Sequence, residues 1–347
     1  MVAWGGYTFQ GVDIPPGDQA VVNVPLPGLY TDTPVQMPVH IVHGRRSGPT
    51  LFVSAAVHGD EINGVEIIRR LLVQPQLKRL RGTLLAVPIV NVFGFHVRSR
   101  YLPDRRDLNR SFPGREQGSL AGRLAHTFLT EVVKRADVGI DLHTAAIHRD
   151  NFPQVRADLG SDRTKVLARA FGAPVLLHSA PPDGSLRYAA GQFDVPILVY
   201  EAGEALRFDE ISIRLGLSGI LNVMRELEML SLKRKPPKPS AMLRSSTWVR
   251  APRSGILRTL VKLGDMVSKN DTLGIVADPV ANSEAVLTAP FDGLIIGRTH
   301  LPLTYEGEAL FHVGRTPQTA LLERHLDAIQ DTEHLSLPEL VEEPEIV

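Results

Sequence analysis

Two short motifs have the residue types and spacing of a metal site. His58 and Glu61 follow the apolar run TLFVSAAV, and His143 ends the apolar run VGIDLH. The spacing of three predicts that His58 and Glu61 share one side of a first helical turn. If the two runs are strands of one parallel sheet, their carboxyl ends bring the three side chains together. Two imidazoles and one carboxylate with an open fourth position are typical of catalytic zinc, so we predict that His58, Glu61 and His143 bind one zinc ion.

Two further carboxylates stand where they can assist such a metal. Asp141 lies two residues before His143 and is a candidate to orient its imidazole, although a hydrogen-bonded polar residue at a strand end is an equal alternative. Glu201 ends the apolar run VPILVYE. A carboxylate emerging from a buried strand near a metal-activated water is a candidate general base.

A basic, proline-containing loop supplies candidate substrate ligands. The stretch SRYLPDRRDLNRSFPG contains Arg100, Arg105, Arg106, Asn109 and Arg110. An arginine fork beside an asparagine suits the bidentate capture of a substrate carboxylate. For Arg105 and Arg106, a solvated surface loop is the alternative.

Composition excludes several function classes. The 347 residues contain 38 Lys+Arg and 38 Asp+Glu, so no net charge favours nucleic acid or an anionic membrane as a partner. The chain has no cysteine, which excludes disulfides and thiolate metal sites. No apolar run approaches the roughly 18 residues of a membrane span, and we predict a cytoplasmic protein. Phosphate-binding glycine loops and a Ser nucleophile elbow are absent.

The order of predicted elements divides the chain. Residues 1–45 predict edge strands and turns, and residues 46–232 alternate apolar strands with helices, which indicates an α/β domain with a largely parallel sheet. The Pro-rich, basic stretch at 233–246 predicts a linker. Residues 247–316 predict a smaller β-rich domain, with the phrase AP-x-x-G repeated at Ala251 and Ala289. Residues 317–347 predict a helix-prone, acidic tail.

Four motifs in fixed order carry a resemblance to a known family. HGDE, DLNRSFPG, DLHT and YEAGE together resemble the succinylglutamate desuccinylase and aspartoacylase family of the zinc carboxypeptidase clan, over most of residues 45–230. The resemblance implies a three-layer α/β/α domain with a central mixed sheet and one zinc ion held by the three residues named above. It also implies that Glu201 transfers the proton, that Asn109 and Arg110 hold the substrate carboxylate, and that Arg100 stabilises the oxyanion. The spacer before DLNR is longer here, so Arg105 or Arg106 are alternatives for that last role.

The C-terminal domain resembles a different fold. Its AP-x-x-G, LGDMV and GEALFHV phrases are similar to the barrel-sandwich of biotinyl and lipoyl carrier domains, but the matching turn VADPVANSEAV has no lysine to modify. We therefore predict a structural module. A late tyrosine contacts substrate in aspartoacylases, and Tyr305 is the matching position, with a packing role as the alternative.

These observations favour a zinc-dependent hydrolase that deacylates an N-acyl amino acid or a related small amide bearing a carboxylate. A zinc carboxypeptidase that cleaves peptide C-termini uses the same residues and remains an alternative. A non-catalytic carrier or binding protein built on the C-terminal β domain is the alternative from another class. The sequence does not specify the acyl group or the amine, and it leaves homo-oligomer formation open.

Overall fold

The computed structural model describes residues 4–231, 240–280 and 283–316. The N-terminal and central strands are β1 (Tyr7–Phe9), β2 (Val12–Ile14), β3 (Gln19–Leu26), β4 (Val35–His43), β5 (Arg46–Ala55), β6 (Arg81–Val87), β7 (Val138–Ala145), β8 (Arg149–Ala157), β9 (Val175–His178) and β10 (Ile197–Glu204). The later strands are β11 (Ala241–Leu243), β12 (Ser246–Arg250), β13 (Gly255–Thr259), β14 (Met266–Val267), β15 (Thr272–Ala277), β16 (Glu284–Thr288), β17 (Gly293–Thr299), β18 (Leu303–Thr304) and β19 (Ala309–Arg315).

Six helices accompany these strands in the described residues. They are α1 (Asn63–Leu72), α2 (Val92–His96), α3 (Leu120–Glu131), α4 (Asp162–Phe171), α5 (Leu186–Gly191) and α6 (Glu210–Glu226). Several starts are fixed by side-chain caps, which satisfy backbone N–H groups that have no partner within the helix. Ser119, Ser161, Ser185 and Asp209 accept these hydrogen bonds at the starts of α3, α4, α5 and α6.

The central sheet is mixed. Its core order is β8-β10-β7-β5-β6-β4-β3, in which β10, β7, β5 and β6 run parallel to one another. Within this order, β8 pairs antiparallel with β10, and β4 pairs antiparallel with both β6 and β3. The predicted α/β class with a central mixed sheet is therefore confirmed.

Helices cover both faces of this sheet. Apolar residues of α1, α4 and α6 belong to the core on one face, and those of α2, α3 and α5 belong to the core on the other. The strand β5 serves both, because Phe52 packs into one core while Leu51 and Val53 pack into the other. Burial on both faces explains why the central strands read as continuous apolar runs.

The C-terminal strands extend the same sheet. The strand β17 pairs antiparallel with β8, and β19 and β12 follow it outward. A second, four-stranded sheet has the order β16-β15-β13-β18 and faces a small core that includes Ala251 and Ala289 of the repeated phrase. The sandwich is thus joined to the α/β domain through shared strand pairing.

Part of the predicted linker is structured. Of residues 233–246, those up to 239 lie outside the described residues, but Ala241–Leu243 form β11 and pair parallel with β9. The apolar side chains Ala241 and Leu243 join a cluster with Leu294 and Ile296 of β17. The stabilisation from burying these side chains outweighs the tendency of the nearby prolines and charged residues to form a linker. The predicted tail, 317–347, lies outside the described residues.

No helix in the described part of the chain is long and apolar enough to cross a membrane.

The seam between the two domains can be tested at Leu243. Its side chain is 0% exposed, so Leu243→Ala leaves a cavity and should lower the free energy of unfolding by about 2–5 kcal/mol. Leu260→Ala is the matched control, because Leu260 is 54% exposed and should change stability by less than about 0.5 kcal/mol. Denaturant unfolding followed by circular dichroism measures both; equal small effects would show that β11 does not pack in this seam.

Candidate active site

His58 and Glu61 lie in a tight turn between β5 and α1. The backbone N–H of Glu61 donates to the carbonyl of His58 at 3.1 Å, and α1 begins only at Asn63. The expectation that both residues sit on a first helical turn is therefore wrong. The turn is held close to α2, since a Cβ added to Gly59 would lie 2.1 Å from the carbonyl carbon of Gly94. Only glycine permits this approach of the two backbones.

His143 and Asp141 occupy alternate positions on β7, so their side chains leave the same face of the sheet. The flanking Ile140 and Leu142 point into the core on the other face. On the neighbouring strand, the hydroxyl of Ser54 donates to Asp141 Oδ1 at 2.7 Å. The parallel pairing of β5 with β7 thus brings Asp141 and His143 beside the turn that carries His58 and Glu61.

The carboxylate of Glu61 lies between the two imidazoles. Glu61 Oε1 is 2.7 Å from His58 Nδ1, and Glu61 Oε2 is 2.7 Å from His143 Nδ1. One ligand atom from each of the three buried residues lies within 4.8 Å of the others. Both imidazoles turn the same nitrogen, Nδ1, toward the Glu61 carboxylate, and this close grouping fits three ligands of a single divalent ion.

The outer nitrogens of both imidazoles meet carboxylates. His143 Nε2 is 2.6 Å from Asp141 Oδ2, and His58 Nε2 is 3.1 Å from Asp107 Oδ1. A carboxylate behind each histidine fixes its tautomer and ring orientation, as is usual for histidines that bind metals. This arrangement is a second feature of the donor set that fits a metal.

The buried charges of this cluster depend on one another. Burial alone would raise the pKa of Glu61, but the charges of His58 and His143 lower it well below its usual range. Burial would lower the pKa of His143, yet Asp141 and Glu61 together raise it. Glu61 accordingly stays ionised although it is fully buried, and an ionised carboxylate is the form that binds a metal.

The basic loop contributes Arg100 to this cluster. Its guanidinium donates to Glu61 Oε1 at 3.0 Å and to Asp107 Oδ2 at 3.0 Å. Arg105 and Arg106 are exposed and do not line the cavity that Arg100 lines. Among the three alternatives from the sequence, the structure brings only Arg100 to the predicted metal ligands.

Asn109 and Arg110 line the same cavity. The side-chain oxygen of Asn109 accepts from the backbone N–H of Leu186 at 2.9 Å, which orients the amide nitrogen as a donor. The guanidinium of Arg110 donates to the carbonyl of Asn109 at 2.7 Å. Both side chains therefore offer N–H donors, the groups that a carboxylate requires.

Glu201 lies on β10 directly opposite His143 in the parallel register of β10 and β7. Its Oε2 accepts from the side chain of Asn151 at 2.8 Å, and its Oε1 is 3.3 Å from the guanidinium of Arg156. Both partners belong to β8. These contacts hold the carboxylate in the cavity near the predicted metal ligands.

These side chains line one cavity of about 280 Å³. The C-terminal domain supplies Trp248 of β12 to its wall. The Trp248 ring stacks on His312 with centroids 4.5 Å apart, and the Arg149 guanidinium lies over it at 5.4 Å. Tyr305 is 79% exposed and is not among the residues that line the cavity.

The comparisons with known proteins agree with this arrangement. Residues 47–227 match the model of the succinylglutamate desuccinylase/aspartoacylase catalytic domain. The chain belongs to this family. The matched segment includes His58, Glu61, His143 and Glu201, so the family domain and the observed cavity coincide. The resemblance found in the sequence motifs is thereby confirmed.

Several relatives cover most of the chain. An N-alpha-acetyl-L-2,4-diaminobutyric acid deacetylase from Halomonas elongata is 27% identical over 278 residues, which are 76% of this chain and 81% of the relative. A succinylglutamate desuccinylase/aspartoacylase from Rhodobacter sphaeroides superposes with a TM-score of 0.78 at 25% identity, covering 86% of this chain and 96% of that one. The product-bound ectoine utilization protein EutE from Ruegeria pomeroyi gives the same TM-score and identity, with coverages of 86% and 95%.

Sequence reasoning missed several residues of this cavity. Asp107 contacts both His58 and Arg100, but in the sequence it is only the first residue of the DLNR motif and nothing there indicates these contacts. Asn151 and Arg156 were missed because the strand β8 was not predicted. Trp248 and Arg187 also line the cavity. The proline and the charged residues of RDNFPQVRA leave no apolar run by which the sequence could have indicated this strand.

The predicted metal site is tested by Glu61→Gln. The amide removes the negative charge between two imidazoles, so we expect affinity for Zn²⁺ to fall by roughly 100-fold or more, since even loss of an outer partner typically costs 10–100-fold. Metal content after dialysis, measured by elemental analysis, reports this change. Glu116→Gln, at an exposed carboxylate outside the cavity, is the control. Retention of one tightly bound metal in Glu61→Gln would contradict the assignment.

His312, which supports Trp248, predicts a pH dependence of stability. Burial lowers the pKa of His312 to about 3, from an ordinary 6.5. Below pH 6.5 His312 is protonated in the unfolded chain but stays neutral in the folded chain. The free energy of unfolding therefore falls by about 1.4 kcal/mol for each pH unit, until the pH reaches the pKa of His312 in the folded protein. In His312→Gln the melting temperature should fall less between pH 7 and pH 5 than in the wild type. Parallel pH curves for the two proteins would refute this role.

Proposed function

We propose that this protein is a zinc-dependent hydrolase that deacylates an N-acyl amino acid or a similar small amide with a carboxylate. The observation that carries the proposal is a buried His58, Glu61 and His143 set in the same cavity as Glu201 and as Asn109 with Arg110. A metal site, a nearby carboxylate base and a carboxylate clamp are the parts that amide hydrolysis of such a substrate needs.

Zinc held by these three residues would supply Lewis acidity to the scissile carbonyl and to the attacking water. Glu201 accepts the proton of that water and then delivers it to the leaving amine. Its contacts suit this task, because Asn151 and Arg156 fix the carboxylate without covering it on all sides: its side chain keeps 15% of its surface exposed. A positioned base contributes typically 100- to 10,000-fold to such a rate.

Arg100 is the residue that we assign to the developing negative charge on the carbonyl oxygen. It lines the cavity and is already aligned by Asp107 and Glu61. A guanidinium fixed before the reaction stabilises charge that forms during the reaction, with no cost of reorientation at that moment. Its Nε and both terminal nitrogens already donate to Asp107 and Glu61, and one N–H on each terminal nitrogen remains for the substrate.

Asn109 and Arg110 are assigned to the substrate carboxylate. Binding this end of the substrate places the amide over the metal ligands. Part of the binding energy is thereby used to orient the reacting groups. The relatives support a small N-acyl amino acid as substrate, since the Halomonas elongata protein is named as a deacetylase of an N-acetylated diamino acid. Trp248, which the C-terminal domain contributes to the cavity wall, supports a small molecule over an extended peptide.

Glu201→Gln tests the mechanism. The amide cannot accept a proton, so we expect kcat to fall by about 100- to 10,000-fold while zinc content stays unchanged. The assay follows free amine released by zinc-loaded protein from N-acetyl, N-succinyl and N-aspartyl amino acids. Glu204→Gln, at the end of the same strand but outside the cavity lining, is the matched control.

Other results of this assay favour other functions. Release of C-terminal residues from peptides, with no cleavage of N-acyl amino acids, would replace the proposal with a carboxypeptidase. Activity that survives removal of the metal would contradict a zinc-dependent mechanism. A covalent biotinyl or lipoyl adduct in the mass of the native protein would instead support the carrier alternative.

A further inference from the structure

A groove on the C-terminal domain is separate from the predicted active site. It encloses about 640 Å³, and none of the described residues that line it lines the cavity around His58. Its walls come from β11 and the residue after it, from the turns that precede β15 and β17, and from the end of β19. The pairing of β17 with both β14 and β19 fixes these parts of the chain relative to one another.

The groove carries an excess of positive charge. Arg244, Lys269 and Arg315 line it, and all three are exposed. Asp292 is the carboxylate among its described lining residues, and its Oδ1 already accepts from the backbone N–H of Lys269 at 2.7 Å. Within the described part of the chain, none of the three cations forms an ion pair with a carboxylate. A surface of this kind attracts negatively charged partners.

Apolar side chains lie beside these charges. Phe291 is buried, and the guanidinium of Arg315 lies 4.0 Å from the centre of its ring. Met242, which is half-buried, also lines the groove. An unbranched thioether adapts to apolar partners of different shapes. The groove therefore suits a ligand that combines acidic with apolar side chains.

The chain itself has a segment of this composition directly after the groove. The described residues end at Thr316, which lines the groove, so the segment 317–347 continues from the groove wall. This segment contains eight acidic residues and one arginine, with no lysine. Acidic and apolar residues adjoin each other in LLERHLD and in PELVEEPEIV. Its charge and its apolar residues complement those of the groove.

The covalent connection allows weak contacts to be effective. The first acid of the segment, Glu323, follows Thr316 by seven residues, and an extended chain of that length spans roughly 25 Å. Single ion pairs between exposed side chains are weak and are screened by salt. A short tether, however, holds its ligand at an effective concentration on the order of millimolar, so that a site of low affinity is still occupied.

We propose that this groove binds the acidic segment 317–347 of its own chain. Carboxylates of the segment contact the three cations of the groove, and the adjoining apolar side chains pack against Met242 and Phe291. The bound segment thereby excludes other acidic molecules from this basic surface. The proposal concerns the C-terminal domain and does not depend on the proposed deacylase activity.

Photo-cross-linking of the whole chain tests the proposal. The protein has no cysteine, so Ser268→Cys introduces a single thiol beside Lys269 and keeps all three cations of the groove. Ser268 is exposed and can be labelled with a benzophenone maleimide. After irradiation, mass spectrometry should find residue 268 joined to peptides from the segment 317–347. Absence of these cross-links would overturn the proposal.

Ser47→Cys is the matched control. Ser47 is an exposed serine next to Arg45 and Arg46, which are also exposed, so its surroundings are basic without the groove. Attraction between exposed charges alone is screened by salt, so in 150 mM NaCl we expect the yield of cross-links to the segment to be at least about 5-fold lower here than at residue 268. Equal yields at the two positions would show unspecific attraction and refute the proposal.

Isotope labelling separates binding within one chain from binding between chains. Labelled and unlabelled Ser268→Cys proteins are mixed in equal amounts before irradiation. Binding within one chain gives cross-linked peptides in which both halves carry the same label. A statistical mixture of labels would show that the segment occupies the groove of a second copy, and it would overturn the assignment to the same chain.

Charge variants test the contacts of the groove. In the Ser268→Cys protein, Arg244→Gln together with Arg315→Gln should lower the yield of cross-links to the segment by roughly 3- to 10-fold, because two of the three attracting charges are lost. Arg45→Gln together with Arg46→Gln should leave the yield unchanged.

A second variant leaves the groove intact. Replacing the eight acidic residues of the segment 317–347 by their amides changes none of the described residues, so it tests the charge of the segment without disturbing the packing around Phe291. The yield of cross-links at residue 268 should fall by a similar factor. An unchanged yield in this variant, or in the double arginine variant of the groove, would overturn the proposal.

Discussion

The site depends on one buried carboxylate placed between two imidazoles. Glu61 is 1% exposed, and its two oxygens each lie 2.7 Å from a histidine nitrogen. A buried ionised carboxylate costs several kcal/mol unless opposite charges or a metal compensate it. The sheet must therefore bring His58, in the turn after β5, and His143, on β7, to the same carboxylate, and the parallel pairing of these adjacent strands does so.

The need to compensate each buried charge extends from the predicted metal ligands to the residues around them. Each histidine that faces Glu61 is backed by a carboxylate, and Asp107 in turn binds Arg100. Positive and negative groups thus alternate from Asp141 through His143, Glu61 and Arg100 to Asp107. Removal of any member would leave a neighbour with an unpaired buried charge, which is why substitutions within such a network are not additive. The same alternation explains how so many ionised groups share a small cavity.

The sequence predicted the centre of this network better than its surroundings. Apolar runs that end in polar residues located the strands and brought His58, Glu61, His143 and Glu201 to one edge of the sheet, because strand ends are local features. Asp107 could not be assigned, since its contact with His58 spans 49 residues and depends on how the loop folds. The turn at His58 was mistaken for a helix start because a spacing of three residues suits a helical turn and also suits this tight turn, which is closed by the N–H of Glu61 and the carbonyl of His58.

The strand β8 shows why the rest was not predictable. Its sequence RDNFPQVRA contains a proline and three charged residues, so it lacks the apolar run of a central strand, yet it lies between β10 and β17. Two of its polar side chains, Asn151 and Arg156, are compensated by Glu201, and Gln154 donates to the carbonyl of Ile296 on β17. The polar residues that make this strand unrecognisable in the sequence, Asn151, Gln154 and Arg156, are those that contact Glu201 or the C-terminal domain. The residue types in β8 are therefore explained by their contacts in the cavity and with the C-terminal domain more than by strand propensity. Such departures from local propensity are expected at functional sites.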